Sequence, residues 1–469
     1  MFHSLFRLGK QKKHKKNSNR VAKNGKDHFN KFLRIEHLES REMLSTAYWT
    51  GDISYYWFDS GNWHDDYGND YLPQAGDDLV FYGSPAIKNT RNNFADGRIF
   101  NSLIFLSNDF SISTQSYPVK VSTGIAVGSD YNTPPITGIT GTEIHANVIL
   151  VPSAEPYVEM HTSSSSELSI YGIISGACNL TKTGGGELRL YDANTYSGAT
   201  TVNNGLLRVR PTGSLPSGTY VTIGDSTSTA DLWFYNSNQQ IGSLSGKNNG
   251  NLMLFNSGVL NVNIGSGSSS TFYGKIEGEG GLKKSGNGIL TLTPPSGYWN
   301  SYTGGTTIDG GMLILGNAYA LPYLIDNDTR ILTINNGGIL DLGGYSSLPQ
   351  TTLYLDNGTI QNGIIVASLA FNLYCGEISA SLGYSEAATT LNKYGSDIVT
   401  LSSSSGLSMP ITVIWSGALL VSGSLSGDTV YFGGEVQLAS PPGNLPYDPD
   451  GTLVVPSISV NQLIYGYPY

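Results

Sequence analysis

One line of this chain is written twice. Residues 180–209 read LTKTGGGELRLYDANTYSGATTVNNGLLRV. Leu180, Lys182, Gly184, Gly186, Leu188 and Leu190 return 102 residues later as Leu282, Lys284, Gly286, Gly288, Leu290 and Leu292. Tyr196, Gly198, Thr200, Thr201, Gly205, Leu207 and Val209 return 106 residues later as Tyr302, Gly304, Thr306, Thr307, Gly311, Leu313 and Leu315. The difference is an insertion around PPSGYWN, 294–300. A looser third copy over 391–423 keeps Leu391, Lys393, Gly395, Gly417, Leu419 and Val421. A short recurring unit cannot bury its own apolar stripe, so its copies and the segments between them must stack.

The details of the line say how. In ELRL and ILTL alternate leucines point one way, the spacing of a strand with one buried face. NNGLLRV and DGGMLIL each place a turn before the next strand, and Gly205 and Gly311 are expected to adopt backbone angles that a Cβ would penalise. Leu188 to Leu207 is 19 residues, about one coil of a solenoid. The predicted fold is therefore all-β, a parallel β-helix. It is expected to be right-handed, because parallel crossovers strongly prefer that hand. The alternative is an antiparallel sandwich array, which the missing two-residue hairpin signals disfavour.

Composition agrees with many short strands and tight turns. Charged residues are 13%, Gly numbers 58, and Tyr (29) outnumbers Phe (15). From about residue 99 onward, segments such as NSLIFLS, YPVKVST, TEIHANVIL and SELSIYG alternate apolar and polar residues and then meet Gly, Ser, Pro or Asn. The expected organisation is a basic, disordered targeting segment over 1–47 and an aromatic N-terminal cap over 48–98. The solenoid follows over 99–423, with repeats near 172–210, 274–316 and 376–423, and C-terminal strands or tail fill 424–469. No run of 18 apolar residues is present, so no transmembrane helix is expected. A basic n-region is present, but no apolar h-region of a secretory signal follows it.

Charge is divided unevenly. Residues 1–45 hold 12 Lys/Arg and 4 Asp/Glu, which leaves 14 and 32, or −18, for the rest. An acidic body is a poor grip for phosphate backbones, so nucleic acid is not an expected partner. Two cysteines, Cys178 and Cys375, make no disulfide framework and no CxxC metal site; whether the two pair is not legible here.

Candidate chemistry is sparse. Only His64, His145 and His161 lie beyond the N-terminal tail, and no HExxH, G-x-S-x-G, P-loop or EF-hand spacing occurs. LTKTGGGEL has a Gly-rich turn and a Lys, but a strand follows it where a phosphate cradle needs a helix start. HDDYGND, 64–70, gathers oxygen ligands on a loop that could hold Ca²⁺. Trp49, Trp57 and Trp63 could form a sugar platform, or could cap the first rung of the stack. Acids are scattered through turns and do not repeat as pairs on adjacent rungs, against glycoside chemistry. No catalytic, cofactor-binding or metal residue is assigned.

The line at 180–209 closely resembles the autotransporter-associated β-strand repeat, which runs roughly L-T-K-x-G-x-G-x-L-x-L…N-x-Y-x-G-x-T-x-(V/I)-x-x-G-x-L-x-V. Residues 282–315 match with an insertion, and 391–421 loosely. Trp49-Thr50-Gly51, Trp57, Asn62-Trp63, Pro73 and Asp77…Phe81 are similar to the module that often precedes such repeats. In FLRIEHLESREMLSTA, 32–47, Leu33, His37, Leu38 and Leu44 would share one side of a short helix. Leu38, Glu39, Arg41, Leu44 and Ser45 of this stretch also resemble the LEPR-xLL export motif, with Ser40 and Met43 departing from it. The resemblances imply an exported, non-enzymatic structural or adhesive β-helix of the bacterial surface or extracellular space. Its partners would be surface glycans or other cell-envelope components. The alternative they leave is a β-helix that binds or degrades polysaccharide. The 46 residues after 423 are too few for the dozen or so strands of a translocator barrel, so self-transport by a fused barrel is not expected.

Overall fold

The computed structural model describes residues 45–466 apart from 130–134, 153–156, 226, 236–237, 323–329, 348, 404–406, 434–435, 439–451 and 456–457. The basic tail and the export-like residues Leu38, Glu39, Arg41 and Leu44 lie outside the described residues.

The rest is a parallel β-solenoid of about 15 turns. Each coil has three sides. In one coil the strands are Ile174–Gly176, Asn179–Thr183 and Glu187–Leu190, on the first, second and third sides. Leu180 stacks between Val158 and Thr200, and Leu188 between Leu168 and Leu207. The 19-residue step from Leu188 to Leu207 is thus one coil. Parallel pairing of strands a coil apart rules out the antiparallel sandwich. Inward Leu, Ile and Val side chains form one continuous core from Ala47 to Val455. At its start, Trp63–His64 runs antiparallel on Tyr48–Trp49, so that edge carries no further parallel coil. GIIVASLAFNLYCG falls in one long strand, Ile364–Ile378, that pairs around all three sides.

The repeat copies do not all occupy the same sides. Five pairings carry Asn179–Thr183 along the second side to Ile289–Leu292. Leu180 is therefore in line with Leu290, 110 residues and five coils away, about 22 residues per coil. Its sequence equivalent, Leu282, stands on the first side, stacked on Leu260. A further five pairings place Leu391 in line with Leu282 on that first side. The first copy is offset by one side from the other two. The unit therefore specifies two adjacent sides and the corner between them, and two different corners of the coil accept it.

That corner is built on a buried lysine. Lys182 lies in an inward column between Met160 and Val202, with no solvent exposure. Its Nζ donates to the carbonyl oxygens of Thr183 (2.6 Å), Gly184 (2.7 Å) and, from the next coil, Asn204 (3.1 Å). Lys284 repeats this with Ser285 (2.8 Å), Gly286 (2.8 Å) and Gly310 (3.5 Å). Lys393 does so with Tyr394 (2.5 Å), Gly395 (3.0 Å) and Ser416 (3.3 Å). Three N–H donors thus meet three carbonyls at each corner, two from the lysine's own turn and one from the next coil. Directly against each cage sits a glycine with positive φ: Gly205 (69°), Gly311 (63°) and Gly417 (68°). A Cβ there would press on the turn's carbonyl oxygens and, at Gly311 and Gly417, lie 2.7 and 2.8 Å from the lysine Nζ.

The other motif positions join coils as well. Buried Asn194 accepts from Ile174 N (2.9 Å) and donates to Ser214 O (2.9 Å), linking the coils on either side of it. Asn300 does the same between Ile276 N (2.8 Å) and Ala320 O (2.7 Å). Buried Tyr196 and Tyr302 bond Thr200 and Thr306 at 2.6 and 2.7 Å.

Two tests follow. Leu188→Ala is expected to cost about 2–5 kcal/mol in urea unfolding, and Gly205→Val to prevent the native fold; a native melting temperature in Leu188→Asp would refute the inward assignment. The lysines add a pH dependence. Burial pushes Lys182 down to about 7, and Lys284 and Lys393 to about 8. Between those values and the unfolded pKa near 10.4 the unfolded chain binds more protons, so this contribution to stability rises with pH. The stability of the native chain relative to Lys182→Met should therefore increase from pH 7 to 10. A difference that stays flat, measured by urea midpoints across that range, would show that the carbonyls hold the proton throughout.

Candidate functional site

The aromatic N-terminal residues are core. Trp49, Trp57 and Trp63 are at most 1% exposed. Trp49 and Trp57 meet Trp63 edge-on, with centroids 4.9 and 6.0 Å apart, and Phe81 packs beneath all three. Phe81 then stacks on Phe105 at 4.8 Å, which carries the cluster into the solenoid core. Buried rings leave no face for a sugar.

The acidic loop is occupied with its own turn. Asp65 Oδ1 accepts from the backbone N–H of Tyr67 and of Asn69, both at 2.9 Å, and Asn69 Nδ2 approaches its second oxygen at 3.2 Å. These bonds, that from Asn69 N foremost, hold the Asp65 pKa down. His64 Nε2 meets Tyr82 Oη at 2.8 Å. Among the described residues no three His, Cys, Asp or Glu side chains gather as a metal site. Cys178 is buried and Cys375 half-buried, both as free thiols.

Of the remaining histidines, His161 lies on an outward position of the strand Tyr157–Thr162 and His145 one residue past the strand Thr142–Ile144. His145 pairs with Glu143 at 2.9 Å. His161 Nδ1 lies 3.0 Å from Thr183 Oγ1 and 3.6 Å from Glu159 Oε1, while the Thr183 hydroxyl donates to Glu159. A relay needs the hydroxyl on one ring nitrogen and the acid on the other. Here a single nitrogen faces both, and the cluster braces the strands Tyr157–Thr162 and Asn179–Thr183.

The third side carries the distinctive surface. Its nine-stranded sheet runs from Asn89–Thr90 to Lys275–Gly278. Along its corner, one residue past each strand, runs a stack. His145 lies on Tyr171 (4.4 Å) and Tyr171 on Tyr191 (4.1 Å); Arg210 sits between Tyr191 and Tyr235 (5.5 and 5.4 Å), and Tyr235 lies on Phe255 (4.2 Å). Each planar group covers the face of the next, so this row is cohesion between coils. Beside it Glu187 joins Arg189 (2.9 Å) and Arg208 (2.6 Å), and Arg189 also reaches Glu167 (2.6 Å).

Past residue 278 this sheet stops: residues 300–303 bond Ile276 and Gly278 without forming a strand, as residues 194–197 bond Ile174 and Gly176 in the first copy, and the insertion lengthens the loop that leads into it. Pro294 and Pro295 have no N–H to give to a ladder. Tyr298 N instead closes a turn on Pro295 O (2.9 Å), with Gly297 at φ 82° in its third position, where only glycine is at ease. Over the next coils the third side consists of irregular segments, and these expose Tyr298, Trp299, Tyr319 and Tyr345, each 41–55% accessible. Ser301 N bonds Ile276 O and Asn300 N bonds Tyr319 O, so the segments lie coil upon coil. Lys275 Nζ, paired with Glu277, sits 5.6 Å from the Tyr298 ring centre. Unlike the earlier stack, these rings make no ring–ring contact among the described residues. PPSGYWN stood out in the sequence as an interruption; the row it opens, through Tyr319 and Tyr345, did not.

The passenger-associated-transport-repeat family model matches residues 180–209 and 282–315, the first two copies of the Lys–Gly corner unit. The adhesin BmaC autotransporter of Brucella suis biovar 1 (strain 1330) is 29% identical over 242 residues, covering 50% of this chain and 7% of that protein. The probable autotransporter YfaL of Escherichia coli (strain K12) is 31% identical over 216 residues, covering 42% of this chain and 17% of that protein. The chain thus spans under a fifth of the length of either relative. No solved structure matches it. The repeats and the two relatives mark a secreted or cell-surface protein.

Proposed function

We propose that this chain is a non-enzymatic β-solenoid scaffold with an adhesive role at the bacterial surface or outside the cell. Its partners are surface glycans or other cell-envelope components. One observation carries the adhesive part: the row Tyr298, Trp299, Tyr319 and Tyr345 exposes four large aromatic side chains along one side of the solenoid. Uncovered rings held in a line on stacked coils lose little conformational entropy when a partner covers them. The name of the Brucella relative, an adhesin, supports the same role. The non-enzymatic part is supported by the side chains. His145 and His161 are each engaged by a neighbouring Glu on the solenoid wall, Glu143 and Glu159.

The experiment is retention of purified protein on immobilised bacterial envelope material, beside an assay for products released from acidic polysaccharides. Native protein is expected to be retained and to release nothing. The triple variant Tyr298→Ala, Trp299→Ala, Tyr319→Ala should lose most retention while keeping its melting temperature, since the rings lie outside the core. Product release would replace this function with a polysaccharide-degrading one.

A further inference from the structure

Resting on the adhesive role, we propose that the lower end of the aromatic row is a saccharide subsite, shaped for an uncharged pyranose chain. A cleft of about 520 Å³ opens at the corner between the second and third sides, lined by Asp225, Thr227, Lys247, Asn248, Asn249 and Tyr273. Tyr273 is 43% exposed and forms one wall. Its N–H bonds Gly246 O in the preceding coil, which sets it beside Lys247 and Asn248. In the following coil the Ser301–Ile276 bond places Tyr298 and Trp299 over the segment that begins at Tyr273. Cleft and row thus lie on successive coils.

The chemistry of the cleft is that of a sugar site. Tyr273 presents an aromatic ring with no ring partner among the described residues, suited to the C–H face of a pyranose. Asn249 Nδ2 donates to Ser228 O and so ties this edge of the cleft to the coil before it. Asn248 and Lys247 are exposed beside it and offer amide and ammonium donors. The opposite wall is pre-set: Asp225 Oδ1 accepts from Thr227 N (2.7 Å) and Ser228 N (2.8 Å). Lys247 and Asp225 give the cleft both signs of charge, whereas residues 46–469 carry −18. That field repels polyuronates and leaves uncharged chains as the better-matched class.

The test is titration of the native chain with soluble cello-, manno- and chito-oligosaccharides, and with oligogalacturonate as the charged comparison. The same titrations are run on Tyr273→Ala, on Lys247→Ala with Asn248→Ala, and on Tyr220→Ala, an exposed tyrosine on the second side. Binding of an uncharged oligosaccharide is expected. Tyr273→Ala should weaken it about tenfold, the loss of one ring contact, and Tyr220→Ala should leave it unchanged. Melting curves identify any variant that misfolds, and the Lys247/Asn248 pair, with no bond to the scaffold at stake, then decides. Native retention on envelope material without binding to any oligosaccharide overturns the subsite and leaves the adhesive role standing. Equal affinity in Tyr273→Ala, tighter binding to oligogalacturonate, or binding only to coated protein overturns it too. Failure on every surface removes both.

Discussion

A coil of this protein has no interior of its own. Three short strands enclose a triangle only about one side chain deep, and every inward Leu, Ile or Val is buried by the coils before and after it. Everything else depends on that mutual burial. Backbone groups on the sides are paired by the parallel ladder, so the difficulty moves to the corners, where the chain bends and the ladder lapses. The corner unit is a solution to that difficulty. Lysine, glycine and asparagine sit at the positions where backbone groups would otherwise be buried unpaired.

The lysine is the least expected of these solutions. An ammonium in an apolar column is costly unless its donors are met. At Lys182, Lys284 and Lys393 they are met by two carbonyls of the lysine's own turn and one from the next coil. A single coil therefore leaves the cage incomplete, and the arriving coil supplies both the third acceptor and the glycine that packs on it. Between copies the same inward column is filled by Ile308, Ile334, Leu355 and Leu373. The cage recurs about every five coils, so it punctuates the stack without being required at each corner.

Much of this was legible in the sequence. The alternating leucines at 188, 190, 290 and 292 reported strands with one buried side, and Gly205 and Gly311 reported positive φ. What was not legible depended on a partner a coil away. A Lys before a Gly-rich turn reads as solvated, and Lys182 is buried because Asn204, 22 residues on, closes over it. The offset of the first copy escaped for a related reason: equal spacing in sequence does not reveal three nearly equivalent sides. The row of exposed rings left one usable signal. Tyr273, Trp299, Tyr319 and Tyr345 are 20–26 residues apart, close to one coil, but a ring at coil spacing can as well be core, as Tyr196 is.

Aromatic residues on this solenoid separate by what covers their faces. Trp49, Trp57 and Trp63 are enclosed by other rings. His145, Tyr171, Tyr191, Tyr235 and Phe255, with Arg210 among them, cover one another, because the third side is regular there and successive residues fall in line at the strand spacing of about 4.8 Å. Beyond residue 278 the third side carries the repeat's own irregular segment, lengthened by the insertion at Pro294 and Pro295, and among the described residues rings on neighbouring coils no longer meet face to face. Loss of the sheet therefore both exposes Tyr298, Trp299, Tyr319 and Tyr345 and prevents them from satisfying each other. On the third side, then, aromatics stack one residue past each strand while the sheet lasts, and Tyr298, Trp299, Tyr319 and Tyr345 stand exposed where it has ended.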